Sequence, residues 1–221
     1  MSKRIFITAT DTETGKAYTA AGLLRSARER GLTAIGFKPV ASGCELHNER
    51  LINQDAMLLQ HSSSISLEDN IINPIRFMKP IAPHIAASEQ NVILTSKMLL
   101  QHTQLIFDIH ADIYIVEGFG GWHAPLNSQE TMADFAVKLN CEIVFVVGLR
   151  LGCLNHALLT EQAIQASGAA CKGWIANHID PDMLYQHENI TALKDLLKTP
   201  HLGTIQYGAL AAEALKDHII F

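Results

Sequence analysis

Cysteine is scarce. The four in 221 residues, Cys44, Cys141, Cys153 and Cys171, are widely scattered and form no CxxC pair. Neither a disulfide framework nor a cysteine-ligated metal site is expected, and free thiols suit a reducing compartment. No apolar run approaches the roughly 18 residues of a membrane-spanning helix. The run behind Lys3 and Arg4 stops at Ile7, too short for a secretory signal, and no small-residue cleavage site follows it. A cytoplasmic protein is therefore expected. Excess positive charge is also lacking: 17 Lys and Arg stand against 22 Asp and Glu, a formal net charge of -5. That balance sets up no basic field for nucleic acid and no attraction to an anionic membrane. Repeats, low-complexity tracts and linkers are missing too, so one domain over residues 1–221 is expected.

What is present reads as a globular core. Apolar residues make up 48% and charged residues 18%, a composition that buries a sizeable interior. Strand-like and helix-like segments alternate. Lys3 to Ala9, Ala34 to Val40, Asp112 to Glu117, Glu142 to Gly148, Cys171 to Asn177 and, more weakly, His201 to Ile205 read as strands. Those at 112 and 142 are nearly continuous apolar runs, the pattern of strands buried on both faces of a parallel sheet. Helical spacing spans Gly15 to Arg30, stopping at Gly31, and recurs over Gln54 to Leu59, Thr95 to Phe107, Met132 to Leu139, Asn155 to Ala166 and Asn189 to Leu197. Asn73 to Ser88 holds three of the seven prolines and reads as an ordered loop. The order predicts a three-layer α/β fold, a mostly parallel central sheet flanked by helices, with right-handed crossovers.

Ligands of such sheets sit beyond the carboxyl ends of the strands. Five strands here end in polar or Gly-rich residues: Thr10 to Lys16, Ser42, Glu117 to Gly121, Arg150 to His156, and Asn177. The first leads into a helix through Thr8-Ala9-Thr10-Asp11-Thr12-Glu13-Thr14-Gly15-Lys16-Ala17. A phosphate loop needs inward-pointing N–H groups at a helix N-terminus and a lysine for the terminal phosphates, which Gly15 and Lys16 supply. The spacing of the common phosphate-loop motif is not met, because Thr10 stands where its first Gly would be. On pattern alone, an ordinary loop with a solvated lysine stays open. So do a solvated Lys38, a surface acid at Asp55, packed roles for His84 and His156, and core roles for Met57, Met78 and Met98. Glu117 is harder to dismiss, since a carboxylate ending an apolar strand is costly unless paired.

Further segments are distinctive. Residues 9–17 read ATDTETGKA, and Gly36 to Gly43 read GFKPVASG. Asn53-Gln54-Asp55-Ala56, Pro83-His84, Val116 to Trp122 (VEGFGGW), Leu151 to Ala157 (LGCLNHA) and Gly173 to Asn177 (GWIAN) follow in order. Together they resemble the dethiobiotin synthetase family over residues 1 to about 207. The resemblance implies a P-loop NTPase-like domain and an ATP-dependent ligase of biotin biosynthesis. One amine of 7,8-diaminononanoate captures CO2 as a carbamate, the carbamate attacks the γ-phosphate of ATP to give a carbamic-phosphoric anhydride, and the second amine displaces phosphate to close a cyclic urea. Catalysis of that kind is mainly positioning and charge neutralisation.

The resemblance implies catalytic roles for Lys16, on the β- and γ-phosphates, and Lys38, between carbamate and γ-phosphate. It implies ATP contacts from Glu13, Thr14, Gly15, Lys16, Ala17, Tyr18, Asp55, Glu117, Gly118, Gly120, Asn177, His178 and Glu213. Mg2+ would be held by Asp55 and Glu117. Thr12 and Ser42 would bind the reacting end of the diamine. Gly152, Cys153, Leu154 and Asn155 would hold its distant carboxylate across the interface of a homodimer. The chain departs from the family pattern at Ala17, where a magnesium-binding Thr is usual, at Ala9 for a Gly and at Phe119 for an Ala; Thr14 and Gln206 are smaller departures. Weaker magnesium dependence or reduced turnover is the expectation from Ala17. Two other classes are weighed. A nucleotide-switched partition-type ATPase often carries a second lysine near the loop start and a basic amphipathic tail, neither of which occurs here. An amide-forming ligase for corrin side chains usually carries a glutamine-hydrolysing domain, for which 221 residues leave no room.

Overall fold

The computed structural model describes residues 2–216; of the tail from Ala209, residues 217–221 lie outside the described part. The chain order is β1 (Lys3–Ala9), α1 (Lys16–Glu29), β2 (Ala34–Phe37), β3 (Val40–Ala41), β4 (Glu45–His47), β5 (Arg50–Ile52), α2 (Gln54–Ser62), α3 (Asp69–Ile72), β6 (Ile75–Arg76), α4 (Pro83–Glu89), α5 (Ser96–Phe107), β7 (Ile113–Glu117), α6 (Met132–Leu139), β8 (Glu142–Leu149), α7 (Cys153–Ala166), β9 (Cys171–His178), α8 (Gln186–Leu196), β10 (His201–Ile205) and α9 (Ala211–Leu215). Six strands form one parallel sheet in the order β10-β9-β8-β1-β7-β2. The expected mostly parallel sheet with flanking helices is thus what the chain builds. Among the described residues, no helix is long and apolar enough to cross a membrane.

Side chains alternate across the sheet with a period of two. Ile5, Ile7 and Ala9 of β1 face one buried cluster, together with Ala20, Leu23, Leu24 and Ala27 of α1. Phe6 faces the other, with Phe37, Val116, Phe135 and Phe145. Burying both faces explains the continuous apolar runs of β7 and β8. The chain leaves β1 towards β7 and β2 on one side and later builds β8, β9 and β10 on the other. Such a reversal opens a crevice at the strands' carboxyl ends.

Three expectations change. The strand expected to Val40 splits: β2 ends at Phe37, and Val40–Ala41 pairs with Ile75–Arg76 in a separate small sheet. Pro39 has no N–H to continue the ladder, and the Lys38 N–H donates to the carbonyl of Ile72 instead. The proline-rich stretch Asn73 to Ser88 is not all loop, since it contains β6 and most of α4, with Pro83 in the first turn of that helix. Met57 and Met78 are 38% and 53% exposed, so neither belongs to the core. Met98 packs half-buried against it. The hairpin β4–β5 and the short helices α3 and α9 had no sequence expectation.

Candidate active site

The loop after β1 is tied to β8 and β9, which lie on one side of β1 in the sheet. The Thr10 N–H donates to the carbonyl of Val146 (3.0 Å). The Asn177 side-chain amide at the end of β9 donates to the carbonyl of Thr14 (2.8 Å). Arg150, just past β8, forms an ion pair with the Asp11 carboxylate. Inside the loop, Asp11 is the hub. Its carbonyl accepts from Lys16 Nζ (2.8 Å) and Thr14 Oγ1 (3.1 Å), and its carboxylate accepts from the Thr12 N–H (2.7 Å). Gly15 caps α1 in a left-handed conformation (φ 84°) that places the helix N-terminus at the loop. That end carries a partial positive charge and free N–H groups, suited to an anion.

Opposite the loop, three charged side chains converge. Lys38 follows β2, and its backbone is clamped by the Ile72 carbonyl at its N–H and the Asn73 side-chain amide at its C=O (2.9 and 2.7 Å). Asp55 lies in the first turn of α2, where Asn53 caps the helix by accepting from the Ala56 N–H. Glu117 ends β7 and is only 1% exposed. Lys38 Nζ donates to Asp55 Oδ2 (2.9 Å) and Glu117 Oε1 (2.7 Å). Glu117 Oε2 is buried and has no hydrogen-bond partner among the described residues.

Burial would depress the Lys38 ammonium, but Glu117 and Asp55 outweigh it and hold its pKa above the ordinary lysine value. The Glu117 carboxyl is pushed up by burial, with Asp55 adding to the rise and Lys38 opposing it. Lys16 is lowered to about 8 by burial, with Lys38 adding to the fall and Glu117 opposing it.

Lys16, Lys38, Asp55 and Glu117 line one cavity of about 850 Å³, within the size range of small-molecule sites. Thr12, Glu13, Gly15, Ala17, Tyr18, Ser42 and Gly120 line it as well, and Phe119 and His84 form part of its wall. Thr14 is buried behind the loop, and Gly118 lies against the Phe6 ring. Asn177 and His178 are buried at the end of β9, outside the cavity lining. Glu213 is exposed on α9, away from the lining. Gly152 to Asn155 open α7 beside Arg150, Gly152 and Asn155 being exposed, and they too lie outside the lining. Ala9 ends β1 without a positive φ, so the methyl in place of the family's Gly is accommodated. Asp11 and Arg150 had no assigned role from sequence. The one available signal was Arg150's place at a polar strand end.

The chain matches the family model described as an AAA domain over residues 3–214. It is 45% identical to the ATP-dependent dethiobiotin synthetase BioD of Alteromonas mediterranea, over 93% of this chain and 92% of that protein. It is 43% identical to the protein of the same name from Cellvibrio japonicus, over 99% and 96%. Among solved structures it resembles the MinC:MinD cell division protein complex of Aquifex aeolicus (TM-score 0.60, 13% identity, 98% of this chain and 94% of that one). It also resembles the septum site-determining protein MinD complexed with Mg-ADP from Pyrococcus horikoshii (TM-score 0.59, 16% identity, 99% and 87%). At such identities these two likenesses show the fold alone.

Proposed function

The chain belongs to the ATP-dependent dethiobiotin synthetases, cyclo-ligases of biotin biosynthesis, and from that premise we propose how its cavity carries out the reaction. The observation that carries the reading is the meeting of Lys16, Lys38, Asp55 and Glu117 in one cavity at the phosphate loop. Lys16 and the N-terminus of α1 take the β- and γ-phosphates of ATP. Lys38 stands where the carbamate oxygen meets the γ-phosphate and offsets charge developing on the transferring group. Thr12 and Ser42 orient the two nitrogens of 7,8-diaminononanoate. Glu13, Gly15, Ala17, Tyr18 and Gly120 surround the nucleotide, with Thr14 and Gly118 fixing the loops behind them. Asn177, His178 and Glu213 are assigned to the nucleotide by family resemblance. The chain acts as one P-loop domain in the cytoplasm, as a homodimer whose Gly152 to Asn155 segment receives the diamine's carboxylate from the other subunit.

The residues fit a hard divalent cation. Asp55 and Glu117 are oxygen donors, and the buried free oxygen of Glu117 suits a ligand role. Magnesium held there would neutralise phosphate charge. Ala17 lines the cavity in the first turn of α1 and brings no hydroxyl to it. Ala17→Thr should therefore lower the magnesium concentration for half-maximal turnover several-fold, with stability reduced by about 1 kcal/mol because Thr is the poorer helix former. A magnesium titration of turnover, alongside urea unfolding, measures both; an unaltered titration would mean that the missing hydroxyl does not limit magnesium binding.

Lys16 adds a pH dependence. Its ammonium is the form that binds phosphate, and in the free protein it is lost as pH rises through about 8. ATP affinity should hold below that pH and fall above it, by up to about tenfold per unit. Calorimetric titrations across this range test it, with Lys16→Arg, which stays charged, expected to flatten the profile.

The overall reading is tested by incubating the purified protein with 7,8-diaminononanoate, bicarbonate, magnesium and ATP and seeking dethiobiotin by mass. Phosphate release that requires the diamine is expected. ATP binding with no diamine-dependent product would overturn it in favour of a nucleotide-switched binder.

A further inference from the structure

Arg150 touches the nucleotide loop of its own site and the turn proposed to take the carboxylate of the diamine bound at the partner subunit's site. Its side chain pairs with Asp11, whose carbonyl holds Lys16 and Thr14 and whose carboxylate also takes the Thr12 N–H. Its own carbonyl accepts the Cys153 N–H (3.0 Å), closing the turn that opens α7. The next residues, Leu151 to Asn155, contain the segment proposed to receive the diamine's carboxylate. Arg150 thus joins the hub of the nucleotide loop, through its side chain, to that segment, through its backbone.

We propose that Arg150 is a positioning residue that couples nucleotide binding at its own site to diamine binding at the partner subunit's site, with Asp11 as its partner on the loop. Lys16 must leave the Asp11 carbonyl to reach phosphate. When it does, the loop's ties to neighbouring strands are Arg150 at Asp11, Val146 at Thr10 and Asn177 at Thr14. Of these, only Arg150 continues into the α7 turn. The carboxylate of the diamine at the partner subunit's site, seated at residues 152–155, stiffens that turn and, through Arg150, holds Asp11 and Thr12 of this subunit in their binding arrangement. The pair is half-exposed, with 38% and 48% of the two side chains accessible, so its direct energy is small. Its effect lies in geometry. By linkage, the help that diamine gives nucleotide equals the help that nucleotide gives diamine.

The inference rests on the assignment of Gly152 to Asn155 to the carboxylate, and the experiment separates the two. Affinity for β,γ-methylene-ATP is measured by calorimetry with and without 7,8-diaminononanoate, in magnesium. In the wild type the diamine should tighten nucleotide binding several-fold. Arg150→Ala should weaken nucleotide binding about tenfold and abolish the diamine's effect, within the usual range of site-to-site coupling. Arg150→Lys, still able to pair with Asp11, should keep most of both. Asp11→Asn should match Arg150→Ala, and the double variant should be no worse than either single one. Circular dichroism checks that each variant is folded. A wild-type affinity indifferent to diamine, or an Arg150→Ala protein whose diamine effect persists, overturns the coupling, and a purely structural role would show that second outcome. Asn155→Ala tests the underlying assignment: if the diamine KM does not rise, the carboxylate reading fails, whatever Arg150 does to nucleotide.

Discussion

Lys38→Met is expected to lose at least about 100-fold in turnover, the scale seen when one preorganised charge-stabilising donor is removed, and to unfold more easily as well. The two losses have separate causes. On the proposed role of Lys38, turnover falls because the cation between the carbamate and the γ-phosphate is gone. Stability falls because Glu117, 1% exposed, loses the only hydrogen-bond partner that its buried carboxylate has among the described residues. Breaking a buried ion pair from one side typically costs about 3–5 kcal/mol, which urea unfolding would register. Burial already pushes the Glu117 carboxyl up, and without Lys38 it rises further. A carboxyl whose folded pKa exceeds its unfolded one stabilises the fold at low pH and loses that contribution as pH rises through the folded value. The variant should therefore gain on the wild type as the solution is acidified. Magnesium should also narrow the gap by taking the place of the ammonium between the two carboxylates. Lys38→Met combined with Glu117→Gln should recover most of the stability and none of the turnover. If the single variant unfolds like the wild type, the buried Glu117 carboxylate does not depend on the Lys38 ammonium.

Gly15→Ala is the second large effect. Gly15 has φ 84°, and a Cβ there would lie 2.1 Å from the Asn177 amide nitrogen. The methyl meets a side chain that is itself buried and bonded to Thr14, so either the loop or Asn177 must move. A non-glycine left-handed residue adds strain of about 1–3 kcal/mol. The variant should lose at least about 100-fold in ATP affinity, because loop displacement of around an ångström is enough to spoil positioning on that scale. Gly31→Ala is the matched control. Gly31 has a similar φ of 77° at the end of α1, but none of the described residues lies within 4 Å of its would-be Cβ. It should lose about 1–2 kcal/mol of stability and keep its ATP affinity. If Gly31→Ala weakens ATP binding as much as Gly15→Ala, backbone strain alone is responsible and the contact with Asn177 is irrelevant.

Much of this molecule was legible from residue order. The six strands of the main sheet were found because strands buried on both faces are apolar without interruption, and helices with one buried face repeat with helical spacing. The bounds of β1, α6 and β10 match the expected segments. The candidate site was legible in outline too, since chain reversal in a parallel sheet brings strand ends together, and Lys16, Lys38 and Glu117 follow or end such strands. Less legible was anything that depended on partners distant in sequence. The break after Phe37 was hidden because it needs Ile72 and Asn73 to take the backbone groups of Lys38. Met57 and Met78 are apolar, yet their surroundings in the fold leave them exposed.

The sequence by itself determined the alternation of elements, the family and the candidate residues for phosphate, because backbone propensity, hydrophobic period and functional chemistry are local properties. Only the tertiary structure decided that Lys38 lies between Asp55 and Glu117, that Asn177 braces the loop across 163 positions, and that Arg150 reaches Asp11. Those pairings depend on which strands become neighbours, and that is set by how the whole chain buries its apolar surface.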